Sequence, residues 1–147
     1  MKNNIDLANY TFFLPLHLRW NDLDPLGHVN NVMYIEYFQI GRGEYMVAAS
    51  KTWDWFQHMF VIANISCDYW KEMRLGVKEP RIGVRVDAIG TKSFTIEYAI
   101  VSEGKDKQPI LHASGSSTQV MIDVKAGKSI EVPDWLRAEL TAFEPAL

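Results

Sequence analysis

One stretch of this chain limits the fold more than any other. From Val29 to Ala49 no proline intervenes, and apolar side chains cover most of the circumference of a helix drawn through it. Tyr34, Phe38, Gly41, Tyr45 and Ala48 follow helical spacing and make one stripe, which Met33, Tyr37 and Ile40 widen. Glu36, Gln39 and Glu44 leave a narrow polar side. A helix of that kind is expected to be buried. Gly41 and Gly43 each cost about 1 kcal/mol against alanine in a helix interior. Gly41 lies on the main stripe, where close approach to a sheet would account for it.

The segments around this helix alternate with period two, the mark of half-buried strands. Residues 11–20 read as the first, with Phe12, Leu14, Leu16, Leu18 and Trp20 on one face. Val61, Ala63, Ile65, Cys67 and Tyr69 mark a second, and Ile82, Val84, Val86 and Ala88 a third. Phe94, Ile96, Tyr98 and Ile100 mark a fourth, joined to the third by the hairpin-length link Gly90-Thr91-Lys92-Ser93. A fifth runs from about Ile110 to Val124, with a bend expected near Gly115. Lys51 to His58 reads as a loop with Trp53, Trp55 and Phe56 tucked against the body. Pro133 to Phe143 reads as a short terminal helix with Pro133 near its first turn. Strands that follow one another without crossover helices pair antiparallel. The one long helix must bury its wide apolar face on that sheet. The expected architecture is α+β: a curved, antiparallel five-stranded sheet wrapped around one long helix, with a short C-terminal helix, all in one domain over 1–147.

Composition narrows the function. The chain has 147 residues, enough for one core and too few for two. Fifteen Lys and Arg against 18 Asp and Glu give a net charge of −3, with no basic run. Such a chain lacks the electrostatic footprint for nucleic acid or an anionic membrane. No apolar run reaches membrane-spanning length, and a start carrying Asn3, Asn4, Asp6 and Asn9 does not read as a signal peptide. The single cysteine excludes an internal disulfide, so a cytoplasmic setting is expected. Cys67 falls in phase with its strand and reads as structural. His17, His58 and His112 have no partners at ligand spacing, so neither a metal nor another cofactor is expected. Gly127-Lys128-Ser129 lacks the upstream glycine of a phosphate loop and reads as a strand-end turn. Gly41-Arg42-Gly43 lacks the third glycine of a dinucleotide fingerprint and falls in mid-helix.

Chemistry concentrates just before the long helix. Asp22, Asp24 and His28 cluster there among the turn formers of Asn21-Asp22-Leu23-Asp24-Pro25-Leu26-Gly27-His28. A helix start offers unpaired N–H groups and partial positive charge. A carboxylate beside such donors could attack a carbonyl or activate water while the amides hold the oxyanion. His28 could orient the acyl group or share a proton. The plainer alternative is helix capping, by Asn30 or Asn31 among others.

Arg19-Trp20-Asn21-Asp22-Leu23-Asp24-Pro25-Leu26-Gly27-His28-Val29-Asn30-Asn31-Val32-Met33-Tyr34 resembles the signature of hot-dog-fold acyl-CoA thioesterases of the 4-hydroxybenzoyl-CoA thioesterase type. Its Gly-His-Val-Asn-Asn core is similar to plant acyl-ACP thioesterases. The resemblance implies hydrolysis of an acyl thioester, carried by coenzyme A or acyl carrier protein, with Asp24 as the catalytic carboxylate. Amides at the helix start would polarise the carbonyl. His28 matches the histidine of the plant-type motif, and Glu72 a downstream glutamate of that set; Leu26 stands where the plant pattern has asparagine. Asn31 and Tyr34 fall in the part of the motif expected to meet substrate. Lys92 and Ser93 match a position near the coenzyme, whereas Arg81 and Arg85 read as solvated charges. The resemblance also implies a homodimer joined at sheet edges, often paired into a tetramer, with active sites at the interface. The alternatives are a hydratase or dehydratase on the same fold, although a His-Phe-Pro-Gly type stretch is absent, and a non-catalytic acyl-thioester-binding protein.

Overall fold

The computed structural model describes residues 5–147; Asn3 and Asn4, cited above for the polar start, lie outside the described residues. Its central helix α1 (Asn31–Ala49) is held against a sheet with the strand order β1-β3-β4-β5-β2. These strands are β1 (Phe12–Pro15), β2 (Met59–Tyr69), β3 (Arg81–Ile89), β4 (Ser93–Glu103) and β5 (Pro109–Asp123), all antiparallel to their neighbours. A two-residue β6 (Lys128–Ser129) pairs back on β5 through the turn at Gly127, so Gly127-Lys128-Ser129 is a strand-end turn. The terminal helix α2 (Asp134–Phe143) begins directly after Pro133.

The core lies between α1 and the concave side of the sheet. Tyr34, Tyr37, Phe38, Gly41, Tyr45, Met46 and Ala49 form the buried face of the helix. Phe38 stacks flat on Tyr98 with ring centres 4.3 Å apart. A Cβ on Gly41 would lie 3.0 Å from Val84 and 3.1 Å from Ile82, so the close approach expected there is real. Gly115 meets the same helix from the sheet side: a Cβ would sit 2.6 Å from the Phe38 ring and overlap the Ser66 carbonyl oxygen. Pairing to both neighbouring strands runs unbroken through Gly115, and the glycine makes the contact with Phe38 possible. Among the described residues, one cation enters this core. Arg42, 8% exposed, donates to the Tyr98 hydroxyl at 2.9 Å, which is linked through Ser117 to Gln119.

Several expectations need correction. The first strand ends at Pro15, not at residue 20, because β3 begins at Arg81 and offers β1 no partner beyond it. Leu16 stays buried, but Trp20 is exposed on a 3-10 turn (Trp20–Asp22). Along α1, Ala48 is exposed and Ala49 buried, and Val32, Ile40 and Val47 lie on an outward face that is apolar without being covered in the single chain. In β2 the inward phase changes at a bulge between Ile62 and Asn64. Phe60 is buried before it, and Ile65 and Cys67 are half-buried after it, so Val61 and Ala63 face outward. A similar irregularity between Val86 and Ala88 leaves Ala88 exposed. In the 51–58 loop Trp53 is buried, but Phe56 is 100% exposed.

Candidate active site

Residues 23–29 form a miniature hairpin. Leu23 pairs with Val29, the Asp24 N–H donates to the His28 carbonyl at 2.7 Å, and the Gly27 N–H donates to the Asp24 carbonyl at 3.0 Å. Pro25 opens the turn, and Gly27 closes it at φ +80°, a left-handed conformation that a side chain would resist. Three-residue hairpin loops of this kind end on a left-handed residue. The Asp24 side chain is tied into the turn by one oxygen only. Its Oδ1 accepts the N–H of Leu26 at 2.9 Å and of His28 at 3.1 Å. Its Oδ2 accepts nothing among the described residues.

The hairpin is fixed to the body on both sides. Val29 N–H donates to the Met73 carbonyl at 2.8 Å, and Asn30 N–H to the Asp22 carbonyl at 2.7 Å. The Asn30 side chain then caps α1 by accepting the Val32 N–H at 3.2 Å, and Met33 N–H donates to the Asn30 carbonyl at 2.9 Å. Of the first three helix amides, that of Asn31 alone has no partner among the described residues.

Asp22 has another role. It is 0% exposed and accepts hydrogen bonds from Tyr37 Oη at 2.7 Å, Arg19 N at 3.1 Å and Arg19 Nε at 2.9 Å. Burial alone would push its carboxyl up, but the Tyr37 and Arg19 hydrogen bonds outweigh it and hold the group below the usual carboxylate range. Asp22 is a structural anion that ties the turn to α1.

A surface cavity of about 320 Å³ opens at the Tyr69 end of β2. Asp24, His28, Asn31, Tyr34 and Glu72 all line it, so five of the seven residues singled out by sequence meet in one place. Tyr34 and Tyr69 stand edge to face at 5.1 Å, and the Tyr69 hydroxyl donates to the Asn31 carbonyl at 2.8 Å. Burial pushes both phenols up to about 12, so they are protonated donors at neutral pH. Burial likewise pushes the Cys67 thiol up, which disfavours the thiolate. The opposite wall, Trp70 to Glu72, hangs on His112, a bulged residue of β5. His112 Nδ1 donates to the carbonyls of Lys71 and Glu72 at 3.1 and 3.2 Å, and Nε2 accepts from Ser102 at 2.6 Å. Burial pushes this imidazole down and keeps it neutral.

Lys92 and Ser93 do not join this cavity within one chain. Ser93 pairs with Val120, whereas Tyr69 pairs with Ala113, seven residues back along β5. That is about 23 Å at strand rise. Two larger hollows hold no comparable set. One of about 480 Å³ lies on the polar side of the sheet near Arg85 and Glu97, and one of about 590 Å³ lies by Phe56 and Met59. Sequence reasoning missed Arg74 and His112, which reach the site from far along the chain and carry no local motif.

A curved antiparallel sheet wrapped around one long helix is the architecture of the hot-dog fold. The thioesterase-like superfamily profile matches residues 18–140, and the chain belongs to that family. It is 29% identical over 127 residues to YsmA of Bacillus subtilis (strain 168), covering 86% of this chain and 83% of that one. A thioesterase superfamily structure from Jannaschia sp. CCS1 superposes with a TM-score of 0.84 at 27% identity, covering 95% of this chain and 87% of the other. A thioesterase from Thermus thermophilus, solved with coenzyme A and Zn, gives 0.79 at 28% identity, covering 93% and 96%.

Proposed function

We propose that this protein is an acyl-CoA thioesterase that uses Asp24 as its carboxylate. The observation that carries this reading is the asymmetric seating of Asp24. One oxygen is locked by two amides, and the other is left free on a residue that lines the cavity at the start of α1. What separates Asp24 from an ordinary turn carboxylate is its position, in a cavity shared with His28, Asn31, Tyr34 and Glu72 at the start of the long helix.

In the hydrolytic step, Oδ2 removes a proton from water and the oxygen bonds to the thioester carbonyl carbon. The carbonyl becomes an oxyanion, which the Asn31 N–H, unpartnered among the described residues, and the positive end of the helix would stabilise. Collapse breaks the C–S bond, and the thiolate recovers the proton, giving free acid and coenzyme A. Direct attack by Asp24 through an anhydride uses the same geometry. The coenzyme A bound by the Thermus thermophilus relative supports a coenzyme A thioester as substrate.

The assembly belongs to this reading. Strand β2 is a sheet edge, and Met59, Val61, Ile62 and Tyr69 on it are exposed. We infer a homodimer in which two β2 edges pair antiparallel about a two-fold axis. That pairing sets the Met59 end of one chain beside the Tyr69 end of the other. It carries Lys92 and Ser93 toward the partner's Asp24, where a coenzyme phosphate would need them.

The test is hydrolysis of short, long and aromatic acyl-CoAs with detection of free thiol. Turnover of at least one class, abolished in Asp24→Asn, is the expected result. No thiol release from any of them would overturn the reading.

A further inference from the structure

We infer that Arg74 is a positioning residue which fixes His28 as a hydrogen-bond donor toward the substrate carbonyl. This inference rests on the thioesterase reading. The Arg74 guanidinium lies 2.9 Å from His28 Nε2, and the two residues also pair through their backbones. A guanidinium has only donors and keeps its proton at every accessible pH. A contact at that distance therefore requires Nε2 to accept. The neutral ring then carries its proton on Nδ1, which is set by the other hydrogen bond the ring makes.

Two further observations give this tautomer a use. Nδ1 has no hydrogen-bond partner among the described residues, and His28 lines the cavity that also holds Asp24 and Asn31. The His28 N–H is already committed to Asp24 Oδ1 at 3.1 Å, so backbone and ring of one residue serve both sides of the reaction. The backbone orients the carboxylate, and the ring offers Nδ1–H to the developing oxyanion beside the Asn31 amide. The same clamp removes His28 as a general base through Nε2, because that lone pair is occupied. Arg74 is held close to the turn: a Cβ on Gly27 would come 3.5 Å from its guanidinium. That is ordinary contact distance, so the arginine lies against the hairpin, whose glycine is set by its left-handed φ.

The test uses the intact protein, labelled with nitrogen-15, and long-range proton–nitrogen correlation of the His28 ring. In the wild type the expected pattern is a protonated Nδ1 and an unprotonated Nε2. In Arg74→Met the ring should redistribute toward the Nε2–H form. Steady-state kinetics on the best acyl-CoA should show kcat reduced by roughly 10–100-fold, the scale for lost support of a site residue, with KM within about twofold. Arg74→Lys, which retains a donor, should recover part of both signals. The opposite tautomer in the wild type would overturn the inference. So would an unchanged kcat in Arg74→Met, or a change confined to KM, which would make Arg74 a binding group for coenzyme phosphate. The ring spectrum is read without any turnover. Failure of the thioesterase reading, seen as no hydrolysis by the wild type, is thereby distinguished from failure of the Arg74–His28 assignment.

Discussion

Two carboxylates two residues apart are held in opposite ways, and the difference lies in their free lone pairs. Asp24 keeps one oxygen open, so Asp24→Asn should lower kcat by a factor on the order of 10²–10⁴ while leaving thermal stability unchanged. His28→Ala should cost less, because the Asn31 amide and the helix terminus still face the carbonyl. Asp22→Ala should do the reverse and cost about 1–3 kcal/mol, mainly by leaving the buried Tyr37 hydroxyl unpaired. Its acid dependence follows from the sign of the shift. The Asp22 carboxyl is held below its unfolded value, so its stabilisation is complete above the usual carboxylate range near pH 4. It is lost as pH falls through the folded value. The stability gap between wild type and Asp22→Ala, read from thermal melts, should therefore be constant above about pH 4 and narrow as pH falls below it. The motif in the sequence marked both residues; only the hydrogen bonds distinguish them.

At the level of elements, the helix and sheet meet through one glycine on each side. Gly115 has no room for a methyl group between Phe38 and the Ser66 carbonyl. Gly115→Ala should cost about 3 kcal/mol through overpacking, and hydrogen exchange should show the loss first in β2, whose carbonyl must move. Periodicity made the long helix and all five main strands legible, because each buries one face and repeats at its own interval. It could not show where that face changes. The extra residue near Ala63 turns the strand over, and nothing in Val61-Ile62-Ala63-Asn64 announces it, since apolar residues stand on both sides of the slip. The apolar stripe of α1 misled in a similar way: Ile40 and Ala48 look like core in sequence and are surface in the single chain. The candidate site was legible where it is local, from Asp24 to Tyr34. Arg74 and His112 were not, because their roles depend on strand pairing between distant segments.

For the molecule as a whole, the open β2 edge is the feature to test. Light scattering at micromolar concentration should give a dimer or a larger species, and a monomer would remove the shared site. Placing charge on the edge with Val61→Lys and Ile62→Lys should yield monomer and abolish turnover together.

The hairpin that holds Asp24 belongs to the first fifth of the chain, yet the contacts that hold it shut are supplied by Met73 and Arg74, and β1 before it is held by residues 81–84. Closing so wide a span is slow relative to forming a helix. During synthesis the carboxylate emerges early and waits, unformed, for about half of the chain to follow. Completion of the candidate site is thus a late event in the life of each new molecule. In refolding from denaturant, the far-ultraviolet helical signal should return first, burial of Tyr34 and Tyr37 next, and thiol release last, after the chains pair.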